Sequence, residues 1–116
     1  MPTNRERFLR KHKLPADTSL SLKEIADLSG MPLSALRLVY NKGLGAYASN
    51  PQSVRLRPGT QYGRAYQKNV PAPRSAKLSA EQWGMGRVYA FVMKSPKVFH
   101  KADRHIAEMY NLLEEQ

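Results

Sequence analysis

The chain has 116 residues, with 19 Lys and Arg against 9 Asp and Glu, a formal net charge of +10, and no cysteine. That length corresponds to one domain, and the lack of thiols excludes a disulfide scaffold, thiolate-held zinc, an iron–sulfur cluster and thiol catalysis. Hydrophobic residues at 41% suffice for a small core, while no apolar run reaches the ~18–20 residues needed to span a bilayer.

Residues 1–20 are expected to form a basic N-terminal arm, in which Arg5, Arg7, Arg10, Lys11 and Lys13 face only Glu6 among the first thirteen residues. A short helix from Asn4 is the alternative. No apolar stretch follows the basic start, so a secretory signal is not expected. Pro15 and the polar residues 16–19 separate this arm from residues 21–116, read as a single helical domain.

Ser21-Leu22-Lys23-Glu24 is a capping box that predicts a helix start, and Leu22, Ile25 and Ala26 form a short apolar stripe behind it. Gly30 predicts a left-handed stop. Pro32 suits a first helical turn, and Leu33, Leu36, Val39 and Tyr40 follow at helical spacing. Asn41-Lys42-Gly43 is expected to end this second helix. Residues 43–78 then lose periodicity and are read as a long irregular basic loop. Ser79-Ala80-Glu81-Gln82 is a second capping box. It opens the most apolar helix, carrying Trp83, Met85, Val88, Tyr89, Phe91 and Val92, with its end expected near Lys94 before Ser95-Pro96. Trp83 is expected in the core. A last helix is predicted from Ala102 to about Glu114, with Ala102, Ile106, Met109, Tyr110 and Leu113 on one buried face.

The charge is uneven. Residues 1–27 hold six basic and four acidic residues, 28–80 hold eight basic and none acidic, and 81–116 hold five of each. The excess therefore belongs to the middle of the chain, where it seeks a polyanion or an acidic protein surface.

Residues 22–41 have the layout of a helix–turn–helix. Ala26 stands where the helices approach, Gly30 where the turn needs positive φ, and Leu36 and Val39 where the second helix packs back on the first. The same stretch resembles the segment that opens lac-repressor-type regulators. On such a helix the outward N-terminal positions face base edges. Here these are Leu33, Ser34, Arg37 and Leu38, of which only Ser34 and Arg37 hydrogen-bond a base. Asn41 and Lys42 are placed to reach phosphate. An exposed leucine pair suits a protein contact better.

Within the loop, Arg55, Arg57, Arg64, Lys68, Arg74 and Lys77 interleave with Tyr47, Tyr62 and Tyr66. Arginine forks onto phosphate and tyrosine stacks on an unpaired base. The same arrangement also suits an extended segment lying across an acidic neighbour, and Pro71-Ala72-Pro73 favours extended chain in either case. Other chemistry is not expected. His100, Asp103 and His105 do not form a metal site, because His105 points about 140° from His100 on a helix and lysines and an arginine surround them. Gly43-Leu44-Gly45-Ala46-Tyr47-Ala48 matches G-x-G-x-x-A without the strand that a dinucleotide site requires. No paired carboxylates suggest catalysis.

Beyond these motifs, residues 21–105 resemble a small domain of unknown function encoded by large DNA viruses of algae and amoebae, with phage-like relatives. The resemblance is carried by SLKEIADLSGMPLSALRLVYNKGLGAY, by Asn50-Pro51-Gln52-Ser53-Val54-Arg55, by LSAEQWGMGRVYAFVMK with Trp83, Arg87, Val88 and Phe91, and by Ala102-Asp103. It implies a viral origin, a location in the virion or the infected host cell, and either genome handling or a place in the virion. Residues 58–77 are longer and more basic than that pattern.

The expected protein is thus all-α: a helix–turn–helix-like hairpin, two C-terminal helices, a basic arm and a basic loop. The expected function is non-enzymatic binding of nucleic acid, DNA first, through phosphate contacts. The alternative is a minor capsid-associated protein that bridges acidic surfaces of viral structural proteins. No cofactor, metal, membrane or small-molecule substrate is expected.

Overall fold

The computed structural model describes residues 3–49 and 54–112. Among the described residues five α-helices make up the regular structure: α1 (Asn4–Lys11), α2 (Leu22–Ser29), α3 (Leu33–Ser49), α4 (Ala80–Val92) and α5 (Arg104–Met109). A 3-10 turn at Arg74–Ala76 and a π-helical turn at Val98–Ala102 complete it. The described residues form an all-α globule with no extended strand, and a radius of gyration of 14.3 Å.

Three helices begin at reciprocal caps. Thr3 with Glu6, Ser21 with Glu24, and Ser79 with Gln82 each satisfy two orphan backbone donors. Hydrogen bonds from the Thr3 and Ser21 backbone, then from their hydroxyls, hold the Glu6 and Glu24 carboxyls below their ordinary pKa. Gly30 ends α2 at φ +75°, the left-handed stop predicted for it.

The N-terminal segment is not an arm. An eight-residue helix is marginal alone, since isolated helices need roughly 12–15 residues. Tertiary packing stabilises α1: Phe8 and Leu9 are buried, and the Phe8 ring meets Tyr89 edge-on at 5.6 Å. Arg5 donates to the carbonyls of Ala16 and Thr18, at 3.3 and 2.6 Å, and folds the connector back over α1.

At the centre is α4, which packs on α3, α1 and the π-helical turn. Its Val88, Tyr89, Phe91 and Val92 join Phe8, Ile25, Ala26, Leu36, Val39, Phe99, Ile106 and Ala107 in one core. Trp83 departs from expectation. It is half-buried and lies outside that core, because the buried face of α4 runs through Gly84, Val88, Phe91 and Val92. Its indole N–H is enclosed without a protein partner among the described residues.

Gly43 does not end α3, which continues to Ser49. Instead Gly43 is buried at the crossing of α3 and α4, where a β-carbon would stand 3.3 Å from Gly84 Cα and 3.3 Å from Arg87 Cγ. The two glycines let the helix backbones approach closely. The G-x-G-x-x-A run is therefore plain helix.

The chain after α4 also differs from expectation. Helix α4 stops at Val92, two residues early, with Lys94 at φ +55°. The last helix starts at Arg104 rather than Ala102, because the π-helical turn occupies residues 98–102. This shifts the buried face to Phe99, Asp103, Ile106 and Ala107, and leaves Met109 65% exposed. Leu113 and Glu114 lie outside the described residues, as do Asn50 to Ser53.

Candidate functional site

Residues 54–78 are more ordered than their composition suggests. Val54 and Leu56 are buried, 2% and 0% exposed. An antiparallel bridge joins Leu56 to Lys77. The Arg57 N–H donates to the Ala76 carbonyl at 2.8 Å, and the Leu78 N–H to the Arg55 carbonyl at 2.9 Å. On the other side Leu56 exchanges bonds with residues 66 and 67, accepting from the Tyr66 N–H and donating to the Gln67 carbonyl. The segment is thus an excursion with both feet tied, anchored to α3 where the Tyr47 hydroxyl donates to the Leu78 carbonyl at 3.0 Å.

Several of the predicted phosphate-binding cations build this excursion. Arg55 donates to the Tyr66 carbonyl at 3.1 Å, and Arg57 Nε to the Lys77 carbonyl at 2.7 Å. The Arg74 guanidinium lies 5.3 Å from the centre of the Tyr47 ring. Lys77 is buried rather than presented, 7% exposed and itself engaged in a further contact. Arg64 and Lys68 remain on the outer bend, exposed beside Tyr62 and Tyr66. Tyr66 and Asn69 hold left-handed backbone there, at φ +63° and +61°. Asn tolerates that region, whereas Tyr is strained in it.

On α3, Ser34, Arg37 and Asn41 are exposed. Leu33 packs partly against the core, so the expected exposed leucine pair is reduced to Leu38 at 40%. Lys42, expected to reach phosphate, is engaged within the fold. Its Nζ is 3.1 Å from Asp103 Oδ1 and also donates to the Ala102 carbonyl. Arg87 Nη2 reaches both Asp103 oxygens at 3.4 Å. Asp103 is fully buried, so the pair of cations and one carboxylate tie α3, α4 and the start of α5 together. Nothing in sequence periodicity pairs Arg87 and Asp103 with Lys42.

Four of the acids are used within the fold. Glu6 and Glu24 serve as caps, Asp103 is enclosed, and Glu108 pairs with Arg104 at 3.4 Å. Among the described residues Arg37, Arg64, Lys68 and Arg74 form no ion pair. Among the same residues no cluster of three His, Asp or Glu side chains forms that would hold a metal, and no helix is long and apolar enough to cross a membrane. No family model, curated protein or solved structure matches the chain.

Proposed function

We propose that the protein is a non-enzymatic nucleic-acid-binding module that engages phosphates through its basic excursion. The observation that carries this reading is the outer bend. There Arg64 and Lys68 alternate with exposed Tyr62 and Tyr66 on a base pinned by backbone pairing. Unpaired cations on a preordered segment neutralise phosphate at low entropic cost, and adjacent tyrosines suit bases or sugars. In this reading α2, Gly30 and α3 form a helix–turn–helix-like hairpin that supplies shape more than sequence reading, with Ser34, Arg37 and Asn41 as its polar outward residues. The resemblance to the viral domain supports a viral genome, DNA first, as the target, in the virion or the infected cell.

Titrating labelled duplex at several salt concentrations tests this. The wild type should bind with a steep salt dependence. The Arg64→Ala/Lys68→Ala variant should lower the slope by up to about 1.8, at roughly 0.9 per phosphate on duplex DNA. Arg37→Ala should be the one change able to relax sequence preference. No binding at low salt would end the nucleic-acid reading.

A second reading rests on Leu28 and Leu38, 39% and 40% exposed on α2 and α3. Leu38 sits where a base reader would be polar, which suits a protein contact and a capsid-associated role against acidic neighbours. Folding of the N-terminus into α1 removes one of the two extended arms that such a role would use.

A further inference from the structure

At the foot of the excursion a cleft of about 370 Å³ opens between the Tyr47 ring on α3, Val54, and the chain from Asn69 to Ala72, with Arg74 and Lys77 also lining it. That volume falls near the lower end of small-ligand sites, which start at about 300 Å³. Val54, Val70, Pro71 and Ala72 make its walls apolar. The Asn69 side chain brings an amide with both donor and acceptor. Tyr47 is fixed in place from both ends, by its bond to the Leu78 carbonyl and by the Arg74 guanidinium beside its ring.

An apolar slot with an amide, bordered by cations, matches the chemistry of a nucleotide. A base has apolar faces, a hydrogen-bonding edge and an anionic phosphate attached. Lys68 is exposed and directly precedes Asn69, so it and Arg74 flank the slot along the chain. No acid lies anywhere in residues 28–80 to oppose an anion. Bases in a duplex are stacked and paired, and only an unpaired base has its faces free to enter. We propose that this cleft receives one unstacked base of a single-stranded nucleic acid, its flanking phosphates on Arg74 and Lys68. The inference rests on the phosphate-binding reading and adds strand form to it.

The test compares a mixed-sequence single-stranded deoxyoligonucleotide, its ribo counterpart and the matched duplex by fluorescence anisotropy, with wild type and Ala72→Trp. The tryptophan fills the cleft and leaves every charge in place. Binding of either single strand should weaken about tenfold, the size of one lost base contact, while duplex binding stays unchanged. A second measurement uses only the wild type, so it is independent of how the variant folds. Photo-crosslinking of a single strand carrying 4-thiopyrimidines should label Tyr47 or residues 69–72. Duplex binding with the expected salt slope, but an unaffected single strand and crosslinks confined to Tyr62 and Tyr66, would overturn the cleft alone. Failure of all three nucleic acids to bind at low salt would overturn both readings.

Discussion

The ring of Tyr40 fills the space that a side chain at Gly84 would need. A β-carbon there would lie 2.7 Å from Tyr40 Cε1 and 2.8 Å from Cδ1. Tyr40 on α3 thus occupies the place of a missing side chain on α4, and the close approach of the two helices depends on it. Gly84→Ala should destabilise by about 1–3 kcal/mol, the usual cost of overpacking. Urea unfolding of Gly84→Ala with and without Tyr40→Leu checks the cause, since the smaller partner should recover much of the loss.

Gly30 separates backbone strain from crowding. Its φ is +75°, and nothing lies within 4 Å of a β-carbon built there. Gly30→Val should cost at least about 1–2 kcal/mol through backbone conformation alone, and Gly30→Asn distinctly less. Equal midpoints for the two variants in chemical denaturation would contradict this.

The Asp103 carboxylate, itself out of reach of water, holds two partly exposed cations. The side chains of Arg87 and Lys42 are 16% and 40% exposed, so each keeps some solvent when the carboxylate is removed. Asp103→Ala is therefore expected near the lower end of the usual range for breaking a buried pair, about 3 kcal/mol. The Arg87→Met/Asp103→Leu double variant should be more stable than the sum of its single changes predicts, which a double-mutant cycle reads directly.

Arg57 should act on the excursion without touching the core. Losing its Nε bond to the Lys77 carbonyl removes about 0.5–1.5 kcal/mol of local stability. Arg57→Ala should speed tryptic cleavage after Arg64 and Lys68 while leaving the global unfolding midpoint nearly unchanged. A cleavage rate equal to wild type would mean that backbone pairing alone holds the feet.

Alkaline pH should weaken the fold through Tyr89. Burial raises its phenol above the ordinary value of 10.0, with Arg5 opposing to a smaller extent. Above about pH 10 the unfolded chain releases this proton while the folded chain keeps it, so the unfolded state binds fewer protons and stability falls as pH rises. Tyr89→Phe should flatten the decline between pH 9 and about 11.

Local signals were the readable ones. Ser21 with Glu24, Ser79 with Gln82, and Gly30 each act within one turn of chain, and each works as its residue type implies. The Thr3-to-Glu6 cap is written as plainly, yet the run of basic residues around it favoured an arm, and only the Phe8 contact with Tyr89 decides for a helix. Gly43 misleads because a glycine that stops a helix and one that admits a neighbouring helix look alike in one dimension. The candidate site was legible as composition and not as division of labour. Which arginines brace and which face outward depends on carbonyls brought near by folding, such as that of Lys77 for Arg57. Asp103 shows the same limit, since its partners come from two other helices.

Because residues 55–57 lie against 76–78, the chain leaves the globule and returns to it at nearly one point. The core beneath is closed without any help from the outer bend. Such a junction behaves as a socket: what is plugged into it is free to change length and sequence, since doubling a flexible loop costs only about 0.6 kcal/mol in closure entropy. Length and sequence between Pro58 and Ala65, ahead of the Tyr66 and Gln67 bonds to Leu56, can therefore change while the helices that carry the excursion stay the same.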